Sequence, residues 1–261
     1  MTSLKYWIFA LVLLLLTGSK TFSQSEVFED GEELYYEVQY SFLNIGWIKF
    51  NTERVLGKSN VFNCKAVMKS NDGLPFVTVN YEFLSTIEVT GGTVRPLKFI
   101  AYEYKDEKKS TLTYNFDYDS SFIDIKKTGF DGQQEIDKRI KSSTLFQDGL
   151  SIFYFARYGF SKTQSIDVPV LMYVDTAMMN INYNTDKTDV SAGDINYDIS
   201  SVYLEGVSYF TAVFGLTGDF SGWFSNDAAR IPLKAKLKVK IGNVTVELKS
   251  WKRKSWKPPQ Y

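Results

Sequence analysis

From Leu34 onward, apolar and polar residues alternate with a period of two. Leu34, Tyr36, Val38 and Tyr40 fall on one side of a pleat, and Tyr35, Glu37, Gln39 and Ser41 on the other, the pattern of a half-buried β-strand. Gly46 opens a second strand through Trp47, Ile48, Lys49, Phe50 and Asn51. Residues 61–69, 76–83, 97–104, 111–117 and 122–127 carry similar runs. So do residues 166–174, 178–183, 196–204 and 209–216. Turn chemistry separates them: Gly57-Lys58-Ser59-Asn60, Asn71-Asp72-Gly73, Gly91-Gly92 and Asp131-Gly132. Spacings near ten residues with short turns predict an antiparallel meander rather than βαβ units.

One segment breaks the period. Phe146, Leu150, Phe153 and Tyr154 fall at helical spacing, with Asp148 placed to cap the start. Ile152 and Phe155 make the other side apolar as well. A helix apolar on most sides is a buried one, expected to run for about 14 residues and to plug or flank the concave face of the sheet. The fold class expected is therefore mainly β: an antiparallel, highly curved sheet or unclosed β-barrel with one central helix.

The last strands give the sharpest local expectation. Lys234, Lys236, Lys238 and Lys240 alternate with Ala235, Leu237, Val239 and Ile241. Gly242-Asn243 follows as a turn, and Val244, Val246 and Leu248 then alternate with Thr245, Glu247 and Lys249. A two-residue turn there places Lys238 opposite Glu247.

The start of the chain reads as an address. Lys5 precedes an uncharged apolar run from Tyr6 to Leu16, and small or polar residues follow through Ser23. This is the layout of a secretory signal peptide, with Thr21 and Ser23 flanking a cleavage site before Gln24. The run is short of the ~20 residues that a spanning helix needs. The expectation is a leader at 1–23 and a single β-rich domain at 24–261, exported to the periplasm or cell envelope, with a basic-aromatic tail at 251–261.

Composition narrows the chemistry. There is no His and one Cys, Cys64. That excludes an intramolecular disulfide, a Ser-His-Asp triad, a Cys-His pair and a His-based zinc site. No metal or cofactor is expected, and no nucleotide-binding glycine motif is present. Cys64 reads as a small buried hydrophobe. Sequence-adjacent acids such as Glu32 and Glu33, or Asp117 and Asp119, are catalytic pairs only in name. Asn182, Asn184, Asp186, Asp189 and Asp194 are oxygen-rich but read as a polar turn. Residues 24–233 carry 19 basic and 29 acidic side chains, whereas residues 234–261 carry 9 and 1. The cationic end either meets an anionic partner or balances the domain's own charge.

Three stretches also carry a family resemblance. Phe220-Ser221-Gly222-Trp223-Phe224-Ser225-Asn226-Asp227-Ala228-Ala229-Arg230-Ile231-Pro232-Leu233-Lys234, followed by the hairpin from Ile241 to Leu248, resembles the family known as domain of unknown function 3108. Gly31-Glu32-Glu33-Leu34 with Tyr36 resembles that family's opening strand. Asp148-Gly149-Leu150-Ser151 with Tyr154 and Arg157 resembles its central helix. Asn226 departs from the pattern, where an acidic residue is more usual. The resemblance implies an exported, β-rich bacterial envelope protein and defines no activity and no catalytic residue.

The functional expectation is a non-enzymatic envelope protein that holds an apolar or amphipathic small molecule, or an envelope component, in its concavity. Trp47, Phe153 and Tyr154 are chosen as lining residues for their size and position. Trp223, Asp227 and Arg230 form either a recognition loop or a turn fixed by an Asp227–Arg230 pair. Two rivals stand beside this reading. One is an interaction module working through the lysine-rich hairpin, with the tail touching a membrane surface or glycan; the tail by itself is otherwise expected to be a frayed terminus. The other is a carboxylate-based glycan hydrolase. No nucleic-acid partner is expected.

Overall fold

The computed structural model describes residues 24–74, 78–209, 218–239 and 242–261. The leader, the first two residues of the strand expected at 76–83, most of the strand expected at 209–216, and Lys240 and Ile241 lie outside them. A short 3-10 turn (Gln24–Val27) leads into β1 (Glu32–Tyr40), β2 (Leu43–Arg54), β3 (Val61–Ser70), β4 (Asn80–Thr90), β5 (Thr93–Lys105), β6 (Lys108–Asp117), β7 (Phe122–Thr128) and β8 (Gln134–Lys141). One α-helix follows among the described residues, α1 (Ser151–Tyr158). The chain then runs through β9 (Gln164–Met172), β10 (Asp175–Val190), β11 (Ile199–Ser208), β12 (Gly218–Ser225), β13 (Pro232–Lys238) and β14 (Asn243–Lys252).

All fourteen strands form one antiparallel sheet in the order β8-β7-β6-β5-β4-β3-β2-β1-β14-β13-β12-β11-β10-β9. It is two meanders joined where the first strand pairs with the last, Val38 opposite Val246. β8 and β9 remain the two edges. The helical segment connects them, and its lead-in lies along β9, where the Gln147 N–H donates to the Pro169 carbonyl and the Gln147 carbonyl accepts the Leu171 N–H.

Alternation decides which side is inside. In β1, Leu34, Tyr36 and Val38 are buried, and the residues between them are half-exposed. Ile48 and Phe50 continue that inner face in β2, Cys64 and Ala66 in β3, Phe99 in β5, Tyr114 in β6 and Ile125 in β7. The helix fills one end of the enclosed space. Phe153 stacks on Phe50 at 4.1 Å between ring centres. Its opposite side packs Ile152, Phe155 and Ala156 against a cluster built from β9–β12.

Three local expectations need correction. The helix is 8 residues long rather than about 14. Gly159 ends it, at a spot where a Cβ would lie 2.3 Å from the Tyr183 hydroxyl. The hairpin register is offset by four residues: Lys238 faces Asn243, and Lys234 faces Glu247. An even offset keeps the same side chains on the same face, so the apolar pairing survives as Leu237–Val244 and Ala235–Val246. Lys238 meets Asp219 at 3.0 Å instead. Finally, the tail expected to fray is tied down: the Ser200 N–H donates to the Pro259 carbonyl and the Tyr261 N–H to that of Asp198.

Candidate functional site

Because every strand alternates, the two ends of the sheet are distinct. The β1–β2, β5–β6, β7–β8, β9–β10 and β13–β14 turns lie at one end. The other end carries the β2–β3 and β12–β13 turns and the C-terminal tail. There α1 meets the wall through polar contacts. Tyr154 shares a 2.7 Å hydrogen bond with Thr52. The Asp148 carboxylate accepts the Leu150 and Ser151 N–H groups at 2.8 and 2.7 Å and the Ser85 hydroxyl at 2.7 Å. Burial pushes Asp148 up to about 6, against the lowering effect of those donors.

A charged knot closes that end. Arg157, fully buried, forms a fork to Glu32 at 2.7 and 3.1 Å and donates to the Ala229 carbonyl. Arg253 also pairs with Glu32 and reaches Glu29. Tyr36 donates to the Pro232 carbonyl at 2.9 Å. The three stretches that carry the family resemblance thus converge on one buried cluster. Sequence reasoning set Glu32 aside as one of two adjacent acids. A charged Arg157 on a helix apolar all round was the signal that a buried partner exists.

Toward the opposite end the helix leaves space. An apolar cavity of about 450 Å³ is lined by Phe83, Phe99, Leu112, Tyr114, Val170 and others of the inner face. A second lobe of about 310 Å³ runs along the other side of α1 past Phe50, Phe153, Leu204 and Phe220. Ile48, Met68, Ile152, Met179, Leu237 and Val246 line both lobes. Polar groups concentrate in the first lobe, near the strand ends that form its mouth. Lys127, paired with Glu135, donates to the Tyr173 hydroxyl at 3.0 Å. Tyr114 donates to the Tyr173 carbonyl at 2.9 Å. Burial, reinforced by the hydrogen bond to Glu103, pushes Tyr81 up to about 12, so its hydroxyl stays protonated beside that carboxylate.

The residues singled out from sequence go to different places. Phe153 lines the second lobe. Tyr154 lies behind it, fully buried and stacked on Phe28 at 5.2 Å. Trp47 alternates with the buried Ile48 and stacks on Tyr35, on the face away from the cavity. Trp223 likewise faces outward between Tyr203 and Lys236. Asp227 and Arg230 belong to the closed end. Asp227 accepts Ser225, the Ala229 and Arg230 N–H groups and the Trp256 indole. Arg230 is buried, at positive φ, and donates to the Ser225 carbonyl and the Asn226 side chain. This turn fastens the tail. The residues that sequence reasoning missed are Met68, Met179, Tyr114, Glu103 and Lys127. Each is an ordinary alternating strand position, with no local mark that sets it apart from core.

The acidic pairs are placed structurally. Glu32 is buried in the knot, while Glu33 faces out to Lys49 and Lys252. Asp117 holds the β6–β7 turn through the Ser120 N–H. Most of the oxygen-rich 182–194 stretch is strand. Among the described residues no group of three or more His, Cys, Asp or Glu is placed to hold a metal ion. Cys64 is buried, and burial pushes its thiol pKa up, so it stays protonated.

No curated protein matches the chain. The crystal structure of a beta-barrel-like protein of domain of unknown function DUF1849 from Brucella abortus superposes with a TM-score of 0.55. It is 8% identical, with 87% of this chain and 99% of that one covered. A Bacteroides fragilis protein with YmcC-like fold gives a TM-score of 0.35 at 8% identity, covering 87% and 97%. The first likeness establishes a barrel-like fold that is shared without sequence similarity. The family model described as protein of unknown function (DUF3108) matches residues 35–249, and the chain belongs to that family.

Proposed function

We propose that this is an exported envelope protein that carries an apolar or amphipathic small molecule in the concavity of its sheet, without catalysing a reaction on it. The observation that carries the reading is the two-lobed space beside α1, about 450 and 310 Å³, walled by aromatic, aliphatic and Met side chains. Both lobes reach the size of small-molecule sites, roughly 300–1,000 Å³. Apolar walls supply affinity by removing ligand surface from water, at ~25 cal/mol per Å². The polar groups of the first lobe, Glu103, Ser110, Lys127 and Tyr173, suit a ligand whose polar end stays near the mouth. The leader-like segment at 1–23 supports export.

Native mass spectrometry of the protein purified from its own host tests the reading directly. An added mass that organic solvent removes is the expected result. Met179 borders both lobes, so Met179→Trp fills their junction. It is expected to lower uptake of a solvatochromic apolar probe about tenfold while leaving the melting temperature within a few degrees. Unchanged uptake in a folded variant would remove the cavity from the function.

A further inference from the structure

We propose that the rim of the open end docks onto the surface of a lipid bilayer. The inference rests on the carrier reading for its purpose and on separate residues for its support. Eight large hydrophobic side chains are exposed among the described residues, and six of them gather at the mouth end: Tyr40, Phe42, Leu43, Tyr173, Met178 and Tyr209. Phe42 is 95% exposed at the tip of the β1–β2 turn, where Ser41 takes a positive φ of 56°. Tyr209 is 67% exposed just beyond β11, and its N–H donates to the Met178 carbonyl. These positions lie along one arc of the sheet, from β2 through β1 and round to β9.

The rest of the same rim differs in character. The β5–β6 and β7–β8 turns present Asp106, Glu107, Lys108 and Asp131, all exposed. Both charge signs are present, so the charged arc has no strong preference for anionic lipid. Among the described residues the large exposed hydrophobics all lie on one arc of the mouth, interrupted there by the exposed Lys238–Asp219 ion pair and by Asp175, and the other arc is charged. That is the division a bilayer interface accepts: protruding Phe and Leu enter the acyl boundary, Tyr sits at headgroup level, and charges stay in water. Scattered single hydrophobics are normal on a protein surface, whereas a concentration around a cavity mouth marks an interaction site. The cavity opens at this rim, so an amphiphile passes between bilayer and cavity without its apolar part crossing water. The lysine-rich tail lies at the opposite end and takes no part.

Flotation with neutral phosphatidylcholine vesicles tests the docking. The wild-type protein is expected to float, and to go on floating in high salt. The double variant Phe42→Asp with Tyr209→Asp should lose about tenfold or more of its bound fraction, since each ring contributes apolar area. Leu56 is fully exposed at the opposite end, so Leu56→Asp makes the same chemical change away from the rim and should float like wild type. All three proteins share one N-terminus, so the leader does not enter the comparison. Uptake of N-phenylnaphthylamine without vesicles reads the cavity separately, and the double variant should retain it. The docking would be overturned by a wild type that does not float, by equal losses in the Leu56 variant, or by binding confined to anionic vesicles and released by salt. Loss of probe uptake together with flotation in the double variant would also overturn it, by showing a disturbed cavity. Flotation that depends on Phe42 in a protein that takes up no probe would support the docking and discard the carrier reading.

Discussion

Asp148 shows how one residue couples local structure to stability. Its carboxylate holds the start of α1 and bonds Ser85 across the barrel interior, yet burial raises it from 3.8 to about 6. Below pH about 4 the group is protonated in folded and unfolded chains alike. Between about 4 and 6 the folded chain keeps the proton that the unfolded chain releases, so this contribution to stability falls as pH rises and is gone above 6. The loss amounts to about 3 kcal/mol. Asp148→Asn keeps an oxygen for the Leu150 and Ser151 N–H groups and carries no charge. Thermal unfolding at pH 4.5 and 7.5 should show the wild type losing stability relative to Asp148→Asn at the higher pH. Parallel curves would mean that the carboxyl titrates normally. Glu33 and Asp124 are held below the usual carboxylate range by lysine and arginine partners and act in the opposite sense. The difference between variant and wild type isolates Asp148 from them.

At the scale of elements, strand pairing rests on positions where no side chain fits. A Cβ on Gly46 would sit 2.3 Å from the Lys69 carbonyl in β3, beside the irregularity at Val38 and Gln39 in β1. Gly46→Ala is therefore expected to push β2 from β3 and cost about 1–3 kcal/mol in urea unfolding. Gly91→Ala, at positive φ in an open turn with nothing within 4 Å, should cost about 1 kcal/mol through backbone strain alone. Equal costs would show that β2 and β3 are not in such close contact. The C-terminal hairpin makes a related point about register. Alternation determined which face Leu237, Val244 and Val246 occupy, but not the offset at which β13 and β14 pair. An offset of two or four residues leaves the pattern unchanged, so periodicity alone has no means of choosing between them.

At the scale of the whole molecule, the join between the two meanders is the first strand paired with the last. β14 lies between β1 and β13 in the middle of the sheet, and Arg253 just beyond it completes the knot around Glu32. A chain ending at Gly242 leaves the β1 edge without its paired strand and leaves Glu32 and Arg157 without Arg253. It is expected to show no cooperative thermal transition and to lose its near-ultraviolet circular dichroism. A sharp transition in that truncated chain would show that the meanders fold independently. A pairing between residues over 200 positions apart also predicts slow refolding, on the millisecond-to-second scale or beyond, because loop-closure entropy precedes the contacts that offset it.

The sequence by itself determined the fold class, the place of most strands, the α-helix after β8 and the family, because period-two alternation, turn residues and short motifs are local quantities. It also determined that Cys64 is buried and that histidine chemistry is absent. Tertiary structure alone decided where space remains. At the helix end only glycine fits position 159, because Tyr183, more than twenty residues away, occupies the room a side chain would need. Whether Met68 or Met179 is packed core or cavity wall depends on what lies across the barrel, which alternation along one strand does not encode. The same holds for Glu32, Arg157 and Arg253. Arg157 on an apolar helix signals a buried partner, but only the closing of the sheet identifies that partner and brings all three into one buried cluster at the end away from the mouth.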